Sequence, residues 1–431
     1  MAEMPVAAQR GRAPRIAALD ALRGLALLGI LLMNIVGFAL PKAAYLNPAY
    51  QGIPSAWDQG VWLLLSLTVQ GKFLALFALL FGAGLQLQLP RGGRWIQARL
   101  GWLMLFGLLH TLLLWDGDIL LVYGLIGLMC WRTIRDADSA RALLYRGATL
   151  YAVGLGMLLL LAAMSRAEPH GFWQVGYAEI QYETYWKLRG GVEAWRNRSE
   201  LLISNLLALA VQYGWQLCGV MLLGAGLMRC GWLRGRFSSA HYRRCGAGLL
   251  LSGLALQALG SGLQWYLRWD FRWCGYLLQL PGELAAPLMM LGYVALIYAA
   301  WPRLSRWRLT AAPVALAADR RAAAGWAYGP EQLSAADADL HYAVLSMGAI
   351  QSRRARGAAA VGAAGVGGLS AVCDALAARL PSGARRVAVA PSDRTVSARL
   401  RTRGPPTSPQ HILQVVIVNF AIALDLLSYS H

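Results

Sequence analysis

Two groups of polar side chains stand inside otherwise apolar strings. The first is Asp20, Arg23 and Asn34 in LDALRGLALLGILLMNI. Asp20 and Arg23 are three residues apart, which places them on one helical face as a possible ion pair. Arg23 and Asn34 are eleven apart, about three turns and roughly 16 Å of helix, so they share that face too. A guanidinium at one end suits a phosphate, and an amide further along suits a carbonyl. The competing reading is an Asp20–Arg23 pair that sits at a membrane interface, where arginines snorkel.

The second group is His110, Trp115, Asp116, Asp118 and Tyr123 in LLHTLLLWDGDILLVYG. An imidazole is a general base near neutral pH. Asp116 or Asp118 would orient it or raise its pKa. The plainer alternatives are a histidine bonded to a neighbouring helix and aspartates that cap the helix after the turn.

Weaker candidates are Lys72, for an anionic ligand or for snorkelling, and Gln212 with Gln216, four apart on one face. Glu283 follows Pro281-Gly282 and lines a cavity or sits at an interface. Asp20, Arg23, Asn34, Lys72, Tyr123 and Glu283 are thus the expected substrate- or cofactor-binding set, and His110, Asp116 and Asp118 the catalytic one. Walker, HExxH and GxSxG patterns are missing in any credible context. The strings GAG at 82–84 and 224–226 follow no strand, so they read as close helix packing. The six cysteines have no metal-ligand spacing and read as small apolar side chains; no metal is expected.

The elements that must position these groups are membrane helices. Of 431 residues, 57% are hydrophobic and only 14% charged. Soluble proteins carry about 25% charged residues. The formal charge of +19 would suit nucleic acid, but the arginines sit in short loops between apolar runs and read as topology signals. Nucleic acid is therefore excluded as a partner, and the lipid bilayer is expected. Only Lys42, Lys72 and Lys187 are lysines; with abundant Ala and Gly, this bias suits a GC-rich bacterial genome.

The expected fold is all-α, a polytopic bundle of about eight spans. They lie near 17–40, 73–87, 98–115, 119–134, 143–164, 201–228, 246–267 and 277–301, with an interfacial or short helix from Trp57 before the second. Arginines cluster near 10–15, 91–99, 132–146, 229–244 and 303–308, always on one side, so the N-terminus is cytoplasmic. The first span keeps Asp20 and Arg23 and lacks a cleavage site, so it stays as a span. The organisation is a basic tail at 1–16, a five-span bundle at 17–165, a long exposed extracytoplasmic loop at 166–199, and three more spans within 200–308.

Residues 309–431 then turn rich in Ala, Arg, Gly, Ser and Pro. A disordered tail is one reading. A shifted reading frame is preferred. Back-translated one base forward, Gly329–Leu345 can read ALSNYLLQTLICTTLF, and Val387–Asp393 can read WLWRHL.

The strings RIAALDALRGLALLGILLMNI, KFLALFALLFGAG, GLLHTLLLWDGDILLVYG and GVMLLGAGLMRCGWL, in that order, resemble the YeiB-like family of bacterial inner-membrane proteins (domain of unknown function 418). The resemblance covers about residues 15–308. It implies about ten spans, with a C-terminal ALTNYLLQS-like helix and a GPxEWLWRxLT ending, which the shifted frame restores. That family is similar in turn to the membrane acyltransferase-3 and heparan-glucosaminide acetyltransferase families. These resemblances imply an acyl-CoA donor and an extracytoplasmic acceptor. Arg23 matches the arginine on their first span, and Asn34 stands where acyltransferase-3 proteins have a histidine. His110 is then the candidate base by chemistry rather than by motif. Alternatives are a transporter of a small or lipid-linked solute and a non-catalytic membrane assembly protein that offers the aromatic loop to a partner.

Overall fold

The computed structural model describes residues 16–165 and 172–305. The expected frameshifted or disordered stretch 309–431 lies outside them.

The described chain is helical throughout. The long helices are α1 (Ala17–Ala39), α2 (Ala56–Thr68), α3 (Lys72–Gln88), α4 (Gly93–Leu113), α5 (Leu120–Asp136), α6 (Ala140–Met164), α7 (Tyr177–Arg189), α8 (Gly191–Ala208), α9 (Gly214–Arg229) and α10 (Ser239–Tyr266). A short α11 (Phe271–Cys274) and then α12 (Leu280–Leu304) complete it. Among the described residues, seven stretches are long and apolar enough to cross a membrane: 17–37, 56–91, 93–113, 140–164, 191–229, 239–266 and 277–304. The 17-residue α5 rises about 25 Å and returns the chain between α4 and α6. These passes agree with the apolar runs read from the sequence, because backbone polar groups in a bilayer must be satisfied within the helix.

Two passes are interrupted. α2 and α3 belong to one apolar stretch broken at Gln70-Gly71, where Gly71 takes φ +77, open to glycine but strained for other residues. α8 passes into α9 through a π-helical turn at Leu209–Tyr213. Such turns rotate the following side chains and recur at functional sites.

The main core joins α1, α3, α5, α9 and α12 through buried residues such as Leu22, Leu76, Leu79, Met221 and Met290. Its tightest crossing is α3 on α9. A Cβ on Gly82 would strike the Met221 carbonyl, and one on Gly224 would strike the Leu79 carbonyl. The two GAG strings therefore meet each other, and only glycine lets the backbones come so close. At the arginine-rich end, Arg229 of α9 donates to Gln86, Ile134 and Ala137, tying α9 to the ends of α3 and α5.

Two expectations need correction. The segment 166–199 is not simply an exposed loop: its described part contains α7 and the start of α8. Trp173 is fully buried among Trp62, Trp269, Phe271 and Cys274. Its indole donates to the Trp269 carbonyl at 2.9 Å, and its own carbonyl accepts from Asn47 at 2.8 Å. Burial of so large an apolar ring outweighs the polarity of the surrounding sequence. Arg268 and Trp269 hold positive φ of 48° and 55°, a strained turn that presents that carbonyl. The cysteines also do more than pack: Cys130 of α5 and Cys218 of α9 are paired, with Cα atoms 6.3 Å apart.

Candidate functional site

The chemistry-bearing residues fall at three depths of the bundle. At the arginine-rich end, Asp20 Oδ1 lies 3.0 Å from Arg23 Nη1, the i, i+3 pair expected on α1. Arg99 of α4 feels the charges of both Arg23 and Arg91 and donates to Gln88 at 3.1 Å. Arg91 stacks over Trp95 at 4.6 Å. Three guanidiniums from α1, the α3–α4 turn and α4 thus share one neighbourhood, with Arg91 and Arg94 both exposed.

The middle layer holds a polar network between helices. Lys72, the first residue of α3, is only 1% exposed. Its ammonium donates to the Ser66 carbonyl at 2.5 Å and to Gln257 Oε1 at 2.7 Å. It therefore caps the open carbonyl end of α2, where the helix dipole favours a cation. Gln257 Nε2 donates onward to the hydroxyls of Ser66 and Ser261, which lie 2.9 Å from each other. Glu283 in the first turn of α12 is the carboxylate that faces Lys72. Gln212 donates to Gln216 at 3.0 Å, as their spacing suggested. The Glu283 carbonyl accepts from the Tyr151 hydroxyl at 2.6 Å. Pro287, four residues on, has no N–H to offer that carbonyl, so Tyr151 replaces the missing helical bond.

The third layer lies at the opposite end. His110 Nδ1 is 3.0 Å from Asp118 Oδ1, and both side chains are almost fully buried. Asp118 Oδ2 also accepts from the Leu121 N–H at 3.0 Å, capping the start of α5. The functional and capping readings of Asp118 therefore hold together. Neither imidazole nitrogen of His110, nor Asp118 Oδ1, makes an aligned hydrogen bond among the described residues, so the pair meets as a close contact. Trp115 sets its ring edge-on to His110 at 6.4 Å and also reaches Gly37, one turn beyond Asn34 on α1. Asn34 is part-exposed, and its amide makes no hydrogen bond among the described residues.

Asp116 is placed elsewhere. It interacts electrostatically with Lys42 and Arg198. Lys42 donates to Asn205 at 3.3 Å, and Arg198 to the Leu113 carbonyl at 2.9 Å. Burial lowers the Lys42 pKa below the ordinary lysine value, and Asp116 and Glu183 oppose that shift. Tyr123 belongs to the core: it is 2% exposed, donates to the Leu74 carbonyl at 2.9 Å and packs on Phe77 and Phe81.

Sequence reading missed Ser66, Ser261, Tyr151 and Gln257. The first three are ordinary in any helix. Gln257, a lone amide in LLLSGLALQALGSGL, carried the signal of a polar group inside a span.

The helical passes with polar groups buried between them define a polytopic α-helical membrane protein. The chain belongs to the YeiB-like DUF418 family. Residues 227–317 match the family described as "Protein of unknown function (DUF418)". The chain is 56% identical to protein YeiB of Escherichia coli (strain K12) over 294 residues, 68% of this chain and 76% of that protein. It is 37% identical over 125 residues to YxaH of Bacillus subtilis (strain 168), 26% of this chain and 31% of that one. A 39.9 kDa protein from the amylase 3' region of Bacillus acidopullulyticus is 34% identical over 122 residues, 27% of this chain and 33% of that one. No solved structure matches the chain.

Proposed function

We propose that this is a transmembrane acyltransferase of the bacterial inner membrane, which passes an acyl group from cytoplasmic acyl-CoA to an extracytoplasmic acceptor. The observation that carries the reading is the buried His110–Asp118 pair, with Nδ1 and Oδ1 3.0 Å apart. A carboxylate at Nδ1 favours the tautomer whose Nε2 is free to accept a proton, the arrangement of an oriented general base. His110 takes the acceptor's proton as the acceptor oxygen or nitrogen attacks the thioester carbonyl. The carbon–sulfur bond breaks, and the CoA thiolate leaves and is protonated. Arg23, with Arg91 and Arg99 beside it, holds the phosphates of CoA at the arginine-rich end. Asn34, roughly 16 Å further along α1, hydrogen-bonds the acyl carbonyl.

The test uses protein reconstituted in vesicles with radiolabelled acetyl-CoA and an extract of envelope acceptors. Label should reach an acceptor with the wild type and fail to do so with His110→Ala. Acyl-CoA should also protect Arg23 from a guanidinium-modifying reagent. Undiminished transfer by His110→Ala would remove the base.

A second reading, transport of a small or lipid-linked solute, is favoured by the break between α2 and α3 with Lys72 at it, since interrupted helices line transporter sites. Solute counterflow without acyl-CoA would select it. The exposed aromatics Tyr177, Tyr182, Tyr185 and Trp195 remain the feature that a purely assembly-related role would use.

A further inference from the structure

A thiol and an imidazole meet at the arginine-rich end, away from His110. His241 and Cys245 lie four residues apart near the start of α10, so they share a face. Cys245 Sγ is 3.6 Å from His241 Nε2 and 4.0 Å from Nδ1. The imidazole stacks on Phe237, with ring centroids 5.0 Å apart and planes 26° from parallel. A nucleophile, a base within reach and a third group that fixes the base make the pattern of an activated thiol. Both groups are accessible, His241 exposed and Cys245 partly so. Cys230 is exposed too, but its Sγ turns to the Leu227 carbonyl, 3.4 Å away in its own helix.

The surroundings specify the electrophile. α10 has 28 residues and rises roughly 42 Å, more than the hydrocarbon core of about 30 Å, so it projects beyond that core. Exposed Arg243 and Arg244 mark the projecting end, since guanidiniums avoid hydrocarbon, and Cys245 follows them directly at the lipid boundary. Arg234 and Arg236, also exposed, stand in the turn just before α10 and suit phosphates on the water side. On the other side of Cys245 the same helical face continues into the bilayer through Gly248, Ser252 and Ala255, all small and exposed. A Cβ on Gly248 would meet nothing within 4 Å, so the face is open directly beneath the thiol. A phosphate-bearing head in water and a straight acyl chain along that face place a thioester carbonyl at Cys245. Cysteines beside a membrane boundary are the ordinary sites of S-acylation.

We propose that Cys245 is a self-acylating thiol that takes a long-chain acyl group from an acyl-CoA thioester, with His241 as its base. The Cys245 thiol gives its proton to His241 Nε2 as the sulfur attacks the thioester carbonyl carbon. The bond from that carbon to the CoA sulfur breaks, and the CoA thiolate takes the proton from the imidazolium. The products are an acyl thioester on Cys245 and free CoA thiol, and the exchange consumes no oxidant or further reactant. The proposal rests on the Cys245–His241 contact and the open face below it, not on the transferase reading.

The test is incubation of the full chain in detergent micelles with radiolabelled palmitoyl-CoA and no acceptor, so that its readout stands apart from acyl transfer across the membrane. Stoichiometric label that hydroxylamine releases is expected. Cys245→Ala should abolish it, Cys230→Ala should leave it unchanged, and His241→Gln should slow it by about tenfold or more. Iodoacetamide should alkylate Cys245 faster than Cys230. The pH profile of that alkylation should show an ionisation that vanishes in His241→Gln while the variant elutes as the wild type does. No label, label that persists in Cys245→Ala or resists hydroxylamine, or a wild-type rate in His241→Gln would overturn the proposal. Oxidation of Cys245 by peroxide without uptake of palmitoyl would overturn it in favour of a redox-active thiol.

Discussion

Lys72 and Gln257 are 185 residues apart in the chain, yet the ammonium of one lies 2.7 Å from the amide oxygen of the other. This contact ties the interrupted α2–α3 pass to α10 and holds the charge that faces Glu283. A lysine in that position survives burial because two of its three donors are used and a carboxylate faces it.

Replacement of Lys72 by Met should therefore destabilise the protein by about 1–3 kcal/mol, since it strands the Gln257 oxygen, the Ser66 carbonyl and the Glu283 charge. Thermal unfolding in detergent would register the loss. The double variant Lys72→Met, Glu283→Leu should recover part of it, because the stranded carboxylate has gone as well. Strictly additive losses would mean that the two charges do not act as a pair.

Asp118 offers a way to separate catalysis from folding. Asp118→Asn keeps an oxygen for the Leu121 N–H but removes the charge beside His110. Transfer should fall by about 10²–10⁴, the range for losing general-base assistance, with the melting temperature little changed. Asp118→Ala should in addition cost about 1 kcal/mol through the lost cap. Comparable melting temperatures for the two variants would contradict the cap.

Tyr45 predicts the sign of an alkaline effect. Its hydroxyl is pushed up to about 12 by burial, above the ordinary phenol value near 10. Between those values the unfolded chain loses this proton first, so the native state loses stability as pH rises through the window. Tyr45→Phe should flatten that decline. Because Tyr45 is partly exposed, the change will be modest, and a melting series from pH 9 to 12 would measure it. Lys42 acts in the opposite sense: its lowered pKa means that stability gains as pH rises toward the ordinary lysine value.

Gly82→Ala and Gly224→Ala should each disrupt the bundle, because the added methyl meets a main-chain carbonyl of the facing helix rather than a side chain that can turn away. Gly84→Ala, with open space at its Cβ, should be tolerated. Expression and monodispersity on gel filtration would rank the three.

DNA sequencing across codons 300–431 should find one base gained or lost relative to a frame that continues the apolar pattern. An intact frame would remove the frameshift reading.

Much of this architecture was legible in the sequence. The helices follow from apolar runs about 20 residues long, and the Asp20–Arg23 and Gln212–Gln216 contacts follow from helical spacing. His110 and Asp118 were legible as candidates because only one tight turn separates their helices. The Lys72 network was not, since Ser66, Gln257 and Ser261 come from distant segments and nothing local announces which serine faces which amide. The buried Trp173 escaped for a similar reason: its neighbours Trp62 and Trp269 lie far away along the chain, in a segment whose average polarity suggested solvent.

The crossing of Gly82 and Gly224 bears on how such a bundle can move. Two helices interlocked backbone to backbone have no side-chain layer to shear across, so α3 and α9 must travel as one rigid strut. α2 does not hang freely from that strut: Ser66 joins it to Gln257 and Ser261 of α10, and Lys72 closes its carbonyl end, so the bend at Gly71 is held from both sides.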